Sequence, residues 1–150
     1  MGLRDDDTAA APPSALALGA AGLIPFVGLA GLVIAGRTEI GTFATRPALL
    51  VYGALIASFL GGIRWGIAAA RGLGLRDYAL SVAPSLLAWL ALALRAPWDL
   101  VGLGILVLVW GLVDQDLPRR GLAPRWLGRL RLALSGVAGV SLLAAGLLGS

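Results

Sequence analysis

Long apolar runs joined by short polar connections constrain this chain more than any other feature. A helix that crosses a lipid bilayer needs about 20 mostly apolar residues, and five runs approach or reach that length. The mean hydropathy is +0.90 and 13% of residues are charged, against about 25% in an average soluble domain. The pattern predicts transmembrane helices at 15–36, 47–70, 78–95, 99–114 and 130–148.

These runs indicate an all-α integral membrane protein. The connections are short, which favours a compact bundle of five transmembrane helices in which sequential helices are neighbours. We expect the bundle to occupy residues 14–150 and residues 1–13 to form a flexible cytoplasmic tail. The first residues lack the basic region of a secretory signal, and the first run is too long for a signal core.

The arginines predict the orientation, because cytoplasmic connections carry an excess of basic residues. All 12 basic residues are arginine. The tail and the connections after the second and fourth predicted helices hold eight of them, while the other side holds three and Arg64 lies within a helix. This asymmetry predicts a cytoplasmic N-terminus and an outside C-terminus. The bias toward Ala, Leu, Gly and Arg is typical of a GC-rich bacterial genome, so we expect the bacterial inner membrane.

Arg64 is a charge inside an apolar run, which is expensive and usually faces protein, water or headgroups. A rise of ~1.5 Å per residue places it about 9 Å below the cytoplasmic edge. Three interpretations remain open. The side chain snorkels to the headgroups, it forms a structural ion pair with Asp114 or Asp116 at the same level, or it binds an anionic headgroup or polar ligand directly.

Small residues form the strongest packing signal. They permit close contact between membrane helices, which associate without a hydrophobic driving force. The predicted face lies on the second helix and consists of Gly53, Ala54, Ala57, Ser58, Gly61 and Gly62. It serves either packing within the bundle or docking of another membrane protein.

The connection between the fourth and fifth predicted helices is the most polar segment of the chain. It mixes basic residues with Leu and Trp, which is typical of an amphipathic segment lying on an anionic inner leaflet. The predicted lipid contacts are Arg119, Arg120, Arg125, Trp126, Arg129 and Arg131. A simple orientation signal is the alternative. Because the stretch is short and held at a membrane, we expect no nucleic-acid binding.

The residue inventory disfavours catalysis. The chain has no His, Cys or Lys, which removes the usual bases, nucleophiles and nitrogen or sulfur ligands. A proton or ion carrier usually needs a carboxylate inside the bundle, and every acidic residue lies at a predicted helix end or in a connection. We therefore expect no enzyme activity, no cofactor and no bound metal.

Several short motifs are distributed over the chain: Gly22-Leu-Ile-Pro-Phe26, Tyr52, Ser58-Phe-Leu-Gly-Gly-Ile-Arg-Trp-Gly66, Ser81-Val-Ala-Pro84, Trp89, Asp114 and Pro124-Arg-Trp-Leu-Gly-Arg-Leu-Arg131. Together they resemble an uncharacterised family of small membrane proteins, domain of unknown function 3429. The resemblance covers about residues 15–145 and implies a five-helix membrane protein, mitochondrial in animals and in the inner membrane in bacteria. It supplies no activity and no catalytic residues.

The leading functional prediction is a non-catalytic membrane interaction protein. It would be an accessory subunit or assembly factor that binds other subunits of an inner-membrane complex, of which respiratory and photosynthetic complexes are examples. The alternative is a small-molecule or lipid binder, or a transporter, with Arg64 at its polar site.

Overall fold

The computed structural model describes residues 10–149, so residues 1–9 of the predicted tail lie outside the described residues. Within that range the chain is helical apart from one short antiparallel hairpin. The helices are α1 Pro13–Ile34, α2 Thr45–Arg71, α3 Leu75–Leu92, α4 Trp98–Val113, α5 Asp116–Arg119 and α6 Arg125–Leu148. The hairpin pairs β1 Glu39–Ile40 with β2 Phe43–Ala44 between α1 and α2.

The observed helices differ from the predicted ones mainly at their ends. The helix α1 begins at Pro13, a residue that the prediction assigned to the tail. Proline suits this position because the backbone N–H that it lacks has no acceptor in the first turn of a helix. The last helix begins at Arg125 rather than at position 130, so the second part of the basic segment predicted to lie on the leaflet, from Arg125 to Arg131, forms the first turns of α6, while Arg119 ends α5.

Four segments are long and apolar enough to cross a membrane: Pro13–Ile34, Thr45–Arg71, Trp98–Arg119 and Arg125–Leu148. The helix α3 has 18 residues and carries Arg76 and Asp77 in its first turn, and it is not among these four. The fifth crossing and the orientation of the termini remain predictions.

The helix α4 lies at the centre of the bundle. It buries Leu100, Leu103 and Val107 and packs mainly against α6, while α2 packs against α3 and α1 packs on α6 and α2. Gly104 and Gly139 face each other where α4 meets α6, and a Cβ on Gly104 would lie 3.0 Å from the carbonyl oxygen of Gly139. Small residues therefore permit a close contact between α4 and α6 in the core.

Large apolar side chains cover the outside of the bundle. Leu18, Ile24, Phe59, Trp89 and Leu147 are among the most exposed of them. A soluble monomer rarely exposes such a continuous apolar surface, whereas a bilayer is a suitable solvent for it.

Pro84 in α3 receives support from two neighbouring helices. Its ring lacks the N–H that would bond the carbonyl of Leu80 one turn earlier, and the indole Nε1 of Trp110 donates to that oxygen at 3.3 Å. Gly61 of α2 packs on the adjacent carbonyl of Ser81. The opened turn is therefore closed by α4 and α2.

Candidate functional site

Six charged side chains converge where the ends of α2, α4, α5 and the starts of α3 and α6 meet. We call them the charge cluster, and they comprise Arg64, Asp77, Asp114, Asp116, Arg120 and Arg131. Each comes from a different element or connection, so the cluster joins most of the bundle at one end.

Arg64 lies at the centre of the cluster and is 1% exposed. Its Nη2 donates to Asp77 Oδ1 at 3.1 Å and to Asp116 Oδ2 at 3.2 Å, and its Nη1 donates to Asp114 Oδ1 at 3.3 Å. The guanidinium thus ends on three protein carboxylates in the interior. Of the three interpretations of Arg64 drawn from the sequence, this geometry matches the structural ion pair. The terminal nitrogens of Arg64 bind carboxylates inside the bundle and have no path to lipid headgroups.

Arg131 shares Asp114 with Arg64. Its Nη2 donates to Asp114 Oδ2, and the residue is 5% exposed. The prediction that Arg131 contacts the inner leaflet is therefore wrong, because its position on α6 points into the bundle. A pattern in the sequence could have revealed this: Gly128, Arg131, Ser135, Ala138 and Leu142 follow the three- and four-residue spacing of a buried helix face.

Arg120 covers the outer side of the cluster. Its Nη1 and Nη2 bind the two oxygens of Asp77 at 2.7 and 3.0 Å, a bidentate arrangement, and Nη1 also donates to Asp116 at 3.1 Å. These hydrogen bonds, first that to Asp77, raise the pKa of the Arg120 guanidinium above its ordinary value. In the structure the Arg120 guanidinium therefore binds protein carboxylates, whereas the sequence pattern predicted a lipid contact.

Asp77 is the member of the cluster that sequence reasoning missed. It was assigned to the connection before the third helix, yet it lies in the first turn of α3 and is buried. The signal was available, because even the predicted connection at 71–77 is short enough to bring the start of the third helix beside the end of the second, where Arg64 lies.

The cluster balances three positive against three negative charges. Burying a charge is costly unless it is paired and hydrogen-bonded, and here every carboxylate has at least one arginine partner. Two nitrogens lack an acceptor, Arg64 Nε and Arg131 Nη1. In residues 10–149 no group of His, Cys, Asp and Glu is placed to hold a metal ion. The arrangement is suited to clamping helix ends together.

The predicted small-residue face is divided by the structure. Gly53, Ala57 and Gly61 are buried, Ala54 is half-buried, and Ser58 and Gly62 are exposed. The expectation that these six residues share one face is wrong, because adjacent residues of a helix point about 100° apart. The inner residues meet Leu103, Ser81 and Pro84, whereas Ser58 accepts a hydrogen bond from Ser85 at 3.0 Å and a Cβ on Gly62 would meet nothing within 4 Å.

The remaining arginines of the basic connection line an open cleft beside the charge cluster. Arg119, Arg125 and Arg129 are exposed on its walls, together with Gln115 and Pro118, and the cleft measures about 460 Å³. Trp126, which follows Arg125 in α6, is half-buried. Gln115 Nε2 donates to the carbonyls of Gly111 and Gly128, which holds the end of α4 against the start of α6.

A separate ion pair joins the opposite end of the bundle. Arg46 Nη2 lies 2.5 Å from Asp99 Oδ1, and this contact ties the start of α2 to the start of α4. The two helices are therefore held by charged contacts at both ends and by apolar contacts between them.

Comparison with known proteins identifies the family. The sequence profile of DUF3429, described as a protein of unknown function, matches residues 11–147. This chain belongs to the DUF3429 family. The resemblance stated from the sequence motifs is thus confirmed, and the charge cluster and the small-residue contacts are features of a DUF3429 protein.

The DUF3429 chain is also similar to transmembrane protein 69 of Xenopus tropicalis. The two are 38% identical over 144 residues, which cover 88% of this chain and 53% of the relative. The chain therefore spans about half the length of that relative. No solved structure matches the chain. Together with the four apolar spans, the comparison supports a multi-pass membrane protein.

Proposed function

We propose that this DUF3429 protein is a non-catalytic membrane interaction protein that binds a transmembrane helix of a partner. The partner would be a subunit of a larger inner-membrane complex, and the protein would be an accessory subunit or an assembly factor. One observation carries the proposal: a stripe of small residues on α2 faces away from the bundle. We call it the outer stripe, and it consists of Ser58, Gly62, Gly66 and Ala70.

The outer stripe has the spacing and exposure of a helix-docking surface. Its residues recur every four positions, and all four are exposed. A Cβ on Gly62 or Gly66 would meet nothing within 4 Å, so the backbone of α2 is open to close approach there. Such spacing supports van der Waals contact between membrane helices.

The protein already uses the same chemistry inside its own bundle. Gly53 and Gly61 face neighbouring helices so closely that a Cβ on either would lie under 3.0 Å from another atom. The outer stripe repeats this spacing on a face where an added Cβ on Gly62 or Gly66 would meet no atom within 4 Å, while Ser58 at one end of the stripe bonds Ser85 of α3. Exposed Leu55 and Phe59 flank it and are suited to interlock with side chains of an approaching helix.

The charge cluster supports a structural rather than a catalytic role. Its carboxylates are held by arginines, which leaves none of them free to act as a base or carrier. Arg64 is occupied by three aspartates, so the geometry does not favour the alternative of an anionic ligand on that side chain.

The proposal includes five crossings, with the N-terminus in the cytoplasm and the C-terminus outside a bacterial inner membrane. The helix α3 runs antiparallel to α2, since Asp77, Ser81 and Ser85 meet Arg64, Gly61 and Ser58 in turn. Its 18 residues extend about 27 Å, close to the ~30 Å hydrocarbon thickness. Its exposed outer face is apolar, with Leu86, Trp89 and Leu90.

In this orientation the arginine cleft faces the inner leaflet. Arg119, Arg125 and Arg129 then lie at the level of anionic headgroups, each of which attracts a nearby arginine by about 1 kcal/mol. This contact would fix the depth of the protein while the outer stripe binds its partner.

Crosslinking in native membranes followed by mild purification and mass spectrometry tests the proposal. We expect a specific partner to be recovered with the wild-type chain and to be lost with Gly62→Leu, which fills the outer stripe. The matched control is Gly28→Leu on α1, where an added Cβ also meets nothing within 4 Å. Recovery of the wild-type chain only as a monomer, or equal recovery with Gly62→Leu, would overturn the proposal.

A further inference from the structure

An apolar cavity of about 130 Å³ lies among α1, α2, α4 and α6. Leu23, Phe26, Ile56 and Leu134 contribute to its walls, and the polar residues that line it are Arg131 and Ser135. The cavity therefore has an apolar body, and among the described residues that line it Arg131, a member of the charge cluster, is the charged one.

Arg131, which lines this cavity, carries an unsatisfied donor. The residue is 5% exposed, its Nη2 is bound to Asp114, and its Nη1 has no hydrogen-bond partner. A buried donor without an acceptor is costly, and donors of this kind in native structures call for an explanation such as an additional partner. A ligand oxygen at the polar side of the cavity would supply the missing acceptor.

We propose that the cavity binds a neutral, carbonyl-bearing lipophile whose oxygen accepts a hydrogen bond from Arg131 Nη1. The size fits a single ring or a short acyl segment, because apolar cavities of about 150 Å³ bind benzene. The charge cluster is already balanced between three arginines and three aspartates. A neutral carbonyl satisfies the donor without adding a charge to that balance, whereas a carboxylate would add one.

The cavity also has a route to the lipid phase. Leu18 and Phe59 line it and are strongly exposed on the outer surface of the bundle. A lipophile dissolved in the bilayer would therefore enter sideways between α1 and α2, without crossing the charged end. This path is consistent with a membrane-borne ligand of either the ring or the acyl type.

Matched pairs of small probes test the carbonyl requirement on the purified full chain in detergent. The ring pair is p-benzoquinone and p-xylene, in which methyl groups replace the carbonyl oxygens. The acyl pair is methyl hexanoate and heptane. Binding is measured as the rise in thermal unfolding temperature with probe concentration, followed by circular dichroism, since a ligand specific for the folded state stabilises it. The chain has no Cys or Lys, which removes the usual side-chain targets of quinone addition.

We expect at least one carbonyl probe to bind the wild-type protein about tenfold more tightly than the hydrocarbon of the same pair. The pair that shows this preference indicates whether the natural ligand carries its carbonyl on a ring or on an acyl chain. Arg131→Met should abolish the preference. Leu23→Phe, which fills the cavity and leaves the charge cluster intact, should weaken the carbonyl probe about tenfold without lowering the unfolding temperature of the free protein.

Two results would overturn the proposal. One is equal binding of carbonyl and hydrocarbon probes to the wild-type chain in both pairs. The other is unchanged binding by Leu23→Phe, which would place the probes elsewhere or in the detergent. Because Leu23→Phe does not touch Arg131, it decides the location even if Arg131→Met fails to fold.

Discussion

Gly61 lies so close to Ser81 that a Cβ on the glycine would be 2.2 Å from the serine carbonyl oxygen. This contact, one helix turn from Arg64, sets the distance between α2 and α3. It also explains how Arg64 and Asp77 come within hydrogen-bond distance across the same pair of helices.

Gly61→Ala should therefore destabilise the bundle. The added methyl meets backbone that cannot rotate away, so α2 and α3 must separate, at a cost of about 1–3 kcal/mol. The measurement is the free energy of unfolding in detergent. Gly62→Ala is the matched control, because nothing lies within 4 Å of its Cβ, and we expect no loss of stability there. Equal losses at both positions would contradict the close contact.

The bond from Trp110 to the carbonyl of Leu80 gives a second prediction. Pro84 already deprives the Leu80 carbonyl oxygen of its partner within the helix. Trp110→Phe removes the indole donor as well, so this oxygen is left without a hydrogen bond. Hydrogen bonds between membrane helices contribute on average about 0.6 kcal/mol and up to about 1.7, so we expect a loss in this range in the same unfolding measurement. Trp89→Phe is the control, since Trp89 is 68% exposed. A loss at Trp89 as large as that at Trp110 would argue against the role of the indole bond.

Arg64 and Asp114 should be energetically coupled. Removing one partner of a buried pair costs about 3–5 kcal/mol, so Arg64→Met and Asp114→Asn should each be strongly destabilising. The double variant should lose less than the sum, with a coupling of about 0.5–3 kcal/mol. Unfolding free energies of the four proteins in the cycle give this coupling.

Arg76→Gln provides the control for the coupling experiment. Arg76 lies 3.8 Å from Asp116, but its side chain is 70% exposed, and exposed pairs contribute about 0–1 kcal/mol. We expect little change in stability. Additive losses for Arg64 and Asp114 would show that the two side chains act independently, contrary to the structure.

Introduced cysteines should report whether α3 crosses the membrane. The chain has no native cysteine, so Gly74→Cys and Ala96→Cys, in the connections before and after α3, can be labelled singly with a membrane-impermeant maleimide. In intact cells we expect labelling at position 96 and none at position 74 until the cells are opened. Labelling of both positions, or of neither, in intact cells would show that α3 does not cross.

Much of the fold was predictable because it depends on local pattern. Apolar runs predicted the main helices, and their ends were displaced only by a few residues, at places such as Pro13 and Arg125 where proline or polar residues tolerate a helix start. The level of Arg64 and its nearness to Asp114 and Asp116 also followed from counting along the helices. Depth along a helix axis is a one-dimensional quantity that spacing can supply.

The charge cluster was only partly predictable. Asp77 was missed and Arg131 was assigned to the lipid surface, yet both are buried against arginine or aspartate partners. The number of arginines in a connection predicts the orientation of the protein in the membrane. It carries no information about which of those arginines points into the bundle. The periodic spacing of Arg131 with Ser135 and Leu142 held that information, but it becomes decisive only when the facing helix is known.

By itself, the sequence determined the membrane environment, the main helices and the placement of Arg64 near one end of the bundle, since hydropathy and spacing act locally. Only the tertiary structure decided which face of each helix is covered. It buried Gly61 and left Gly62 open, and it turned Arg131 toward Asp114. The physical reason is that the rotation of a helix about its axis is set by contacts with its neighbours, and those contacts join residues far apart in the chain.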